Sequence, residues 1–359
     1  MKKFSAIILA TILAMSLFTG CKKDAFDSKE VNGGEGTVEN IEEEPSDNES
    51  AGVEIENEEV PADPFYDKVM TNERPIAVMI DNDADYTGPQ AGLENAFMIY
   101  EVVVEGGNTR MMALFKESFF DEETPADRRV GPVRSSRHYF LDFAIENDAI
   151  YAHCGWSPKA QSEISSRGVN NINGLYESAP FFRNSEYNNT WHNLYTDFAR
   201  LDKAADTHKY RRETSVTYNY LKNFAVPEKG ESATSVSIPY QQCNIKYNYN
   251  AETGTYERVR RGTAHTMQSG KKIDVTNIII LEMQNVNLND GEGKGRQDLY
   301  NTGSGKGKFI TGGKVIDITW EKATRDSKTK YLADGKEIAL NPGLTFVQIV
   351  SPSLGVTVG

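Results

Sequence analysis

Hydrophobic positions in the first third of the chain predict buried β-strands joined by short turns. Residues 76–80 form an apolar run that is closed by the polar residues Asp81 and Asn82. Such a run, bounded by turn residues, is typical of a buried strand. A second run at 97–105 is followed by a Gly-rich loop and a third run at 110–115, and this order predicts a hairpin.

The hairpin carries carboxylates among apolar residues. In the predicted register Glu105 lies opposite Arg110, as a favourable cross-strand ion pair. Because side chains alternate along a strand, Glu101, Val103 and Glu105 are predicted to share one face. A buried carboxylate is costly unless it is paired, so both glutamates are expected to have partners.

An arginine-rich segment, Gly-Pro-Val-Arg-Ser-Ser-Arg, precedes a helical apolar pattern at 139–145. Ser135 or Ser136 is the predicted N-cap of this helix. Arg134 and Arg137 lie at its start, where the helix dipole disfavours cations, so they require anionic partners. The two hairpin glutamates provide one solution, as a structural salt-bridge network. A bound anion at the helix N-terminus provides the other.

The pattern at 149–154 predicts a further strand, followed by a turn and a helix. Ser157 is the predicted N-cap, with Pro158 at the first helical position, and the helix is expected to run to about Arg167. This order places His153 and Ser157 near the carboxyl end of a strand, where open α/β sheets bind ligands.

Two polar residues later in the chain are further candidates. His192 and Asn193 precede a helix for which Thr196 is the predicted N-cap. Together with His153, His192 is a possible functional histidine, although a single histidine is more often a hydrogen-bonded structural residue.

The second half of the chain changes character. Residues 278–283 predict a central strand, and residues 345–350 predict another. Hairpins are predicted at 309–316 and 331–338. The segment 303–308 resembles a phosphate-binding loop but fits neither common motif, so it is interpreted as a loop. Several hairpins without long helices indicate an antiparallel sheet or barrel, and no catalytic set is evident there.

The fold class predicted from these patterns is α+β or α/β. A mixed α/β domain at 64–213, with a mixed sheet and flanking helices, is expected to precede a mostly antiparallel β-rich domain at 214–359.

The first 20 residues have the pattern of an export signal. Lys2 and Lys3 precede a largely apolar run at 4–18, as in secretory signal peptides. The block at 17–21 resembles a bacterial lipobox, which implies cleavage before Cys21 and lipidation of its sulfur. A diacylglyceryl group supplies the two chains needed for stable anchoring. A plain secretory signal with an incidental cysteine is the alternative.

Charge is concentrated behind this signal. Of the formal net charge of −13, residues 22–63 carry −12, and their low hydrophobicity predicts an acidic disordered tether at 21–63. The remaining chain is almost neutral, without the basic stripe of a nucleic-acid-binding protein. The predicted partner is therefore the membrane, through the lipid anchor, and not a nucleic acid.

The sequence gives little support for a disulfide, a metal site or a common hydrolase motif. Cys154 and Cys243 lack metal-binding spacing and are expected to be unpaired, although a disulfide is possible. The five histidines are far apart in sequence, and the common hydrolase motifs are absent. We predict neither a metal nor an organic cofactor.

Several strings resemble the YerB-like lipoprotein family. They include residues 74–82, 100–115, 131–137, 172–175 and 192–196 in the first half, and 303–307, 318–320 and 340–343 in the second. Trp191 stands where that family often has proline. The resemblance implies two consecutive domains of unknown function behind a lipoprotein signal, in proteins mainly of Firmicutes, and it implies no reaction.

Three functions remain open from the sequence. The first is a binding module for a cell-wall component or an envelope protein. Its candidate ligand-binding residues are Arg110, Arg134, Ser135, Arg137, His153, Ser157 and Asn193. The second is an envelope hydrolase or transferase acting on wall glycan or peptide. Its candidate catalytic residues are Glu101, Glu105 and His192. The third is a structural scaffold.

Overall fold

The computed structural model describes residues 60–83, 88–120, 128–186 and 191–359. The predicted signal peptide at 1–20, the predicted lipidation site Cys21 and nearly all of the predicted tether at 21–63 lie outside these residues. The described residues, which begin at Val60, belong to one compact unit. Within the part described, no helix has both the length and the apolar character that crossing a membrane requires.

The described chain contains four α-helices, all in its first 207 residues. They are α1 Pro64–Val69, α2 His138–Glu146, α3 Pro158–Ser166 and α4 Phe198–Thr207. Eight strands accompany them: β1 Ile76–Asn82, β2 Met98–Val103, β3 Thr109–Phe115, β4 Arg129–Val130, β5 Ile150–His153, β6 Asn171–Asn173, β7 Phe181–Arg183 and β8 Leu194–Asp197. Short 3-10 turns lie at Leu93–Asn95, Glu105–Gly107 and Glu117–Phe119.

The second half is built from strands alone among its described elements. They are β9 Glu231–Ser232, β10 Ser235–Pro239, β11 Asn244–Asn250, β12 Thr255–Arg260, β13 Thr263–Ala264, β14 Asp274–Val275, β15 Asn277–Glu282, β16 Gln284–Asn287, β17 Gln297–Tyr300, β18 Gly303–Thr311, β19 Lys314–Lys322, β20 Lys330–Ala333, β21 Lys336–Glu337, β22 Thr345–Val350 and β23 Thr357–Val358.

One large mixed sheet runs through both halves. Its strand order is β21-β20-β19-β18-β15-β22-β2-β3-β1-β5-β6, and β9 pairs with β19. β22, from the end of the chain, pairs in parallel with β2 and with β15, and so joins the halves without a break. A smaller sheet, β13-β12-β11-β10-β23 with β14 beside β12, is antiparallel.

The two faces of the large sheet bury different cores. Ile80 and Met111 on one face pack with the small antiparallel sheet. Met79 and Met112 on the other face pack with α2. This alternation follows from the two-residue period of strands. The fold class is confirmed: a mixed sheet with flanking helices is followed by a mostly antiparallel β region.

Local predictions from turn residues are confirmed in most places. Helix α3 has Ser157 as its N-cap, because Ser157 Oγ accepts from the amide of Ala160 at 3.3 Å. The two hairpins of the second half exist as β18–β19 and β20–β21. The loop predicted at 303–308 is wrong, because these residues begin β18 and pair with β19. The N-cap of α4 is Asp197 and not Thr196.

Candidate functional site

A cleft of about 420 Å³ opens at the carboxyl edge of the large sheet. β1 and β5 run parallel, and β2 runs parallel to β1 because β3 is antiparallel to both. Their carboxyl ends therefore meet at this edge. The cleft is lined by Asp81, Asp83, Val104, Glu105, Asn108, Thr109, Arg110, Arg134, Arg137, Lys294 and Arg296.

The predicted register of the β2–β3 hairpin is wrong. Arg110 lies opposite Val102, and on its other side it faces Asp81 of β1. Glu105 is beyond the end of β2, in a 3-10 turn where Gly106 and Gly107 have φ values of 67° and 74°. Glycine adopts this left-handed conformation at little cost, so the strand ends before Glu105 and the alternation no longer applies to its side chain.

Arg137 and Glu105 form a bidentate ion pair at the cleft. Arg137 Nε donates to Glu105 Oε1 at 2.5 Å, and Nη2 donates to Oε2 at 2.8 Å. Burial by itself raises the pKa of Glu105, but the hydrogen bonds and charge of Arg137 outweigh it and lower the pKa. One of the predicted arginine–glutamate pairs is therefore present.

The predicted serine N-cap of α2 is wrong. Arg137 occupies the cap position and makes no capping hydrogen bond with its side chain. Ser136 is buried, and its Oγ accepts from the hydroxyl of Tyr151 at 2.9 Å. Ser135 does not line the cleft, but its carbonyl oxygen accepts from the cleft residue Arg110.

Asp81, His192 and Arg134 form a compact triad beside the cleft. His192 Nδ1 donates to Asp81 Oδ2 at 2.5 Å, and Arg134 Nε lies 3.4 Å from the same oxygen. Burial acts to raise the pKa of Asp81, but the hydrogen bond from His192 and the charges of Arg134 and Arg110 together outweigh it, so the pKa is lowered. Arg134 Nη2 is 3.5 Å from His192 Nε2. A guanidinium only donates, so this ring nitrogen accepts.

Arg110 is the least compensated cation of the cleft. Its side chain is only 6% exposed, and its Nη1 donates to Ser135 O at 2.6 Å. No carboxylate of the described residues lies within 4.0 Å of it. Burial, followed by the charge of Arg137, lowers the pKa of Arg110 to about 9. The residue is therefore still charged at neutral pH, and this charge favours an anion.

Glu101 lies on the opposite face of the sheet from the cleft. It is fully buried, and its Oε2 accepts from Arg258 Nη2 at 2.7 Å. Its Oε1 accepts from Asn82 at 2.9 Å and from Thr109 at 2.7 Å. The prediction that Glu101 and Glu105 share one face is wrong, because Glu105 lies past the strand end.

Three other predicted site residues lie away from the cleft. His153 is buried, and its Nδ1 donates to Gly155 O at 2.9 Å. Ser157 caps α3. Asn193 Nδ2 donates to Asn184 O at 3.1 Å. Each of these three side chains therefore forms a hydrogen bond with a backbone group of a nearby residue.

Lowering the pH from 7 to 5 is expected to destabilise the fold through His153. Burial lowers its pKa to about 4 from an ordinary 6.5, so the stability that its neutral form contributes is fully present above 6.5. This contribution is lost progressively as the pH falls toward 4, and the loss of stability reaches about 2 kcal/mol at pH 5.

Urea unfolding at both pH values checks this, with His153→Gln as the comparison. The variant has no imidazole at this position, so its loss between pH 7 and 5 should be smaller by about 2 kcal/mol. Equal losses in the two proteins would contradict the assignment.

The sequence analysis missed four charged residues of the cleft, which are Asp81, Asp83, Lys294 and Arg296. Asp81 directly follows an apolar run, near the carboxyl end of β1, and this position at the sheet edge could have identified it. Lys294 and Arg296 belong to the loop between β16 and β17 and line the cleft from the second half. Arg296 Nη1 is bound to Asp290 at 2.5 Å. Their glycine-rich surroundings gave no sign of this placement.

The described residues contain two cysteines but no arrangement that a metal ion needs. Cys154 and Cys243 are both free thiols, the first half-buried and the second buried. Among the residues that the structure describes, no group of three or more His, Cys, Asp or Glu side chains is arranged to hold a metal.

Comparisons with known proteins agree with this architecture. Residues 64–211 match the N-terminal domain, and residues 236–347 the C-terminal domain, of the DUF3048 proteins of unknown function. The chain is 30% identical to "Putative lipoprotein YerB" of Bacillus subtilis (strain 168) over 286 residues, which are 78% of this chain and 82% of that protein. It also matches the crystal structure of the YerB protein from Bacillus subtilis with a TM-score of 0.68. That match is 29% identical and covers 80% of this chain and 95% of the other.

Proposed function

We propose, from the premise that this chain belongs to the YerB-like family of DUF3048 proteins, that it is a lipid-anchored binding protein. Its cleft would bind an anionic group of a cell-envelope ligand, on a cell-wall component or an envelope protein. The relative is named a lipoprotein, which supports membrane anchoring through Cys21. The basic start and the apolar run before Cys21 support export to the extracytoplasmic face.

The observation that carries the proposal is the buried charge of Arg110. A buried cation without a carboxylate partner is costly to the fold, and Arg110 sits in a cleft that also contains Arg134 and Arg137. Asp81 and Glu105 pair with Arg134 and Arg137, and carboxylates of their own loop pair with Lys294 and Arg296. Among the described residues, Arg110 is therefore the lining cation without a carboxylate partner. An anion that accepts from Arg110 would satisfy the unused donors of its guanidinium.

The enzyme alternative receives less support from the same geometry. Glu101 has no exposed surface, and both oxygens of Glu105 are held by Arg137. His192 Nε2 faces Arg134, so its lone pair is engaged by a donor. A general acid or base must reach the proton that it transfers. In the present arrangement these candidates are occupied by partners within the protein.

Replacing Arg110 by methionine is expected to weaken anion binding by about 10- to 100-fold, because a charge-assisted hydrogen bond contributes about 1.5–3 kcal/mol. Isothermal titration calorimetry of the detergent-solubilised full chain, with inorganic phosphate and with citrate, measures this. Arg110→Lys should bind with intermediate affinity, since an ammonium lacks the planar fork of arginine.

The matched control is Lys336→Met, which removes an exposed cation on β21, at the other end of the sheet. It should bind as the unmodified protein does. Unfolding measurements should place Arg110→Met within about 1 kcal/mol of the unmodified protein, since the substitution also removes an unpaired buried charge. The proposal would be contradicted if Arg110→Met bound the anions as tightly as the unmodified protein does. It would also be contradicted if the unmodified protein showed no saturable binding of either anion.

A further inference from the structure

A groove of about 290 Å³ adjoins the cationic cleft. Arg134 lines both depressions, so the cleft and the groove adjoin at this side chain. The groove is lined by Val133, Arg134, Ser135, Cys154, Gly155, Trp156, Leu175, Arg183, Trp191 and Leu194. It lies just past the carboxyl end of β5, the region where open α/β sheets bind ligands.

This groove exposes large apolar side chains. Trp191 is 75% exposed and Leu175 is 59% exposed. Tyr176, next in the chain, is 73% exposed, and its ring centroid is 5.5 Å from that of Trp156. Contiguous exposed apolar surface of this kind marks binding sites in soluble proteins. Aromatic and aliphatic side chains are therefore accessible to solvent at this groove.

The junction between cleft and groove is held by Arg134. Its Nη1 donates to Trp191 O at 3.3 Å, while its Nε lies beside Asp81. Gly155, in the groove, has φ of 79°, and a Cβ there would approach Ser135 Oγ to 3.2 Å. A glycine therefore keeps this part of the groove open.

The backbone of the groove floor is already paired. Val133 N donates to Leu194 O at 2.6 Å, and Cys154 N donates to Arg134 O at 3.0 Å. A peptide that binds as an added strand needs a row of unpaired backbone groups, which these residues do not offer. A ligand in the groove would therefore contact aromatic and cationic side chains and would not pair with a strand edge.

Two arginine side chains affect the pKa of a thiol that lines the groove. Burial raises the pKa of the Cys154 thiol, while the charges of Arg183 and then Arg134 act in the opposite direction. A lipid acyl chain would gain nothing from these cations. A sugar ring has an apolar C–H face that packs against aromatic rings and hydroxyls that accept from arginine.

We infer that the cleft and groove together bind an anionic glycan, with the charged group beside Arg110 and a sugar ring against Trp191. This inference rests on the proposed function and assigns its ligand class. The groove is large enough for one ring, and its continuity through Arg134 fits a ligand in which the ring directly carries the anion.

Calorimetry with inorganic phosphate and with glucose 1-phosphate tests the inference. The full chain should bind the sugar phosphate about 10-fold more tightly, since a stacked ring contributes about 1 kcal/mol or more. Trp191→Ala should remove this advantage and leave phosphate affinity unchanged. Phe224→Ala, which truncates an exposed aromatic side chain of the second half, is the matched control. This variant should still bind glucose 1-phosphate more tightly than phosphate.

The possible failures are distinguishable. Equal affinity for the two probes, or equal weakening of both by Trp191→Ala, would overturn the glycan inference and leave the anion-binding proposal standing. An acidic tripeptide that binds more tightly than glucose 1-phosphate, in a manner lost in Trp191→Ala, would overturn it in favour of a peptide ligand. No saturable binding of any probe would overturn both.

Discussion

Replacing Arg258 by methionine is expected to destabilise the fold by about 3–5 kcal/mol, because it leaves the buried carboxylate of Glu101 without its cation. Arg258 is fully buried, and its guanidinium also lies 4.9 Å from the ring centroid of Phe346. The remaining donors to Glu101, among them Gln348 Nε2 at 2.9 Å, are neutral. Chemical denaturation at pH 7 measures the loss.

A double substitution separates charge from packing. Arg258→Met combined with Glu101→Gln contains no buried charge at this position, so it should be more stable than Arg258→Met alone by about 1–3 kcal/mol. Lys272→Met removes an exposed cation of the second half that pairs with Glu257, and it should leave stability unchanged. A loss in Arg258→Met no larger than in this control would contradict the role given to the buried pair.

The buried pair lies directly behind the cleft. Glu101 accepts from Asn82 and Thr109, which are the chain neighbours of Asp81 and Arg110. Because neighbouring strand residues point to opposite faces, one pair of strands carries a structural network on one face and the cleft on the other. The network therefore fixes the backbone from which the cleft side chains project.

Local sequence signals predicted the elements that carry the site. The apolar run closed by Asp81 predicted β1, and the Ser157–Pro158 pair predicted α3, because strand burial and helix capping depend on nearby residues. Turn glycines predicted both hairpins of the second half. The carboxyl edge of the sheet was expected near His153, and the groove lies beside it.

Pairing between distant residues could not be predicted in this way. Arg258 is 157 positions from Glu101, and nothing in the spacing of either residue connects them. The register of β2 and β3 was also missed, because the left-handed Gly106 ends the strand earlier than the apolar pattern does. β22 joins the two halves of the sheet, and this pairing depends on tertiary structure that no local pattern specifies.

Replacing Lys322 by methionine is expected to destabilise the fold by about 3–5 kcal/mol. Its buried Nζ contacts Glu146 at the end of α2 and the carbonyl oxygen of Ser327. Glu146 then keeps only neutral donors, such as Thr329 Oγ1 at 2.6 Å. Urea unfolding measures the change, and limited proteolysis should show faster cleavage between residues 323 and 329, because this loop loses the contact that holds it to α2.

Arg325, in the same loop, provides the comparison. It pairs with Asp142 and Glu163 on α2 and α3, but its side chain is 37% exposed, so solvent screens the interaction. Without Arg325, Asp142 would still pair with Arg167, whose Nη1 donates to it at 2.6 Å. Arg325→Met should therefore cost about 1 kcal/mol or less. If both substitutions cost the same, burial is not what makes the Lys322 pair strong, and the packing lost with either long side chain would explain the result instead.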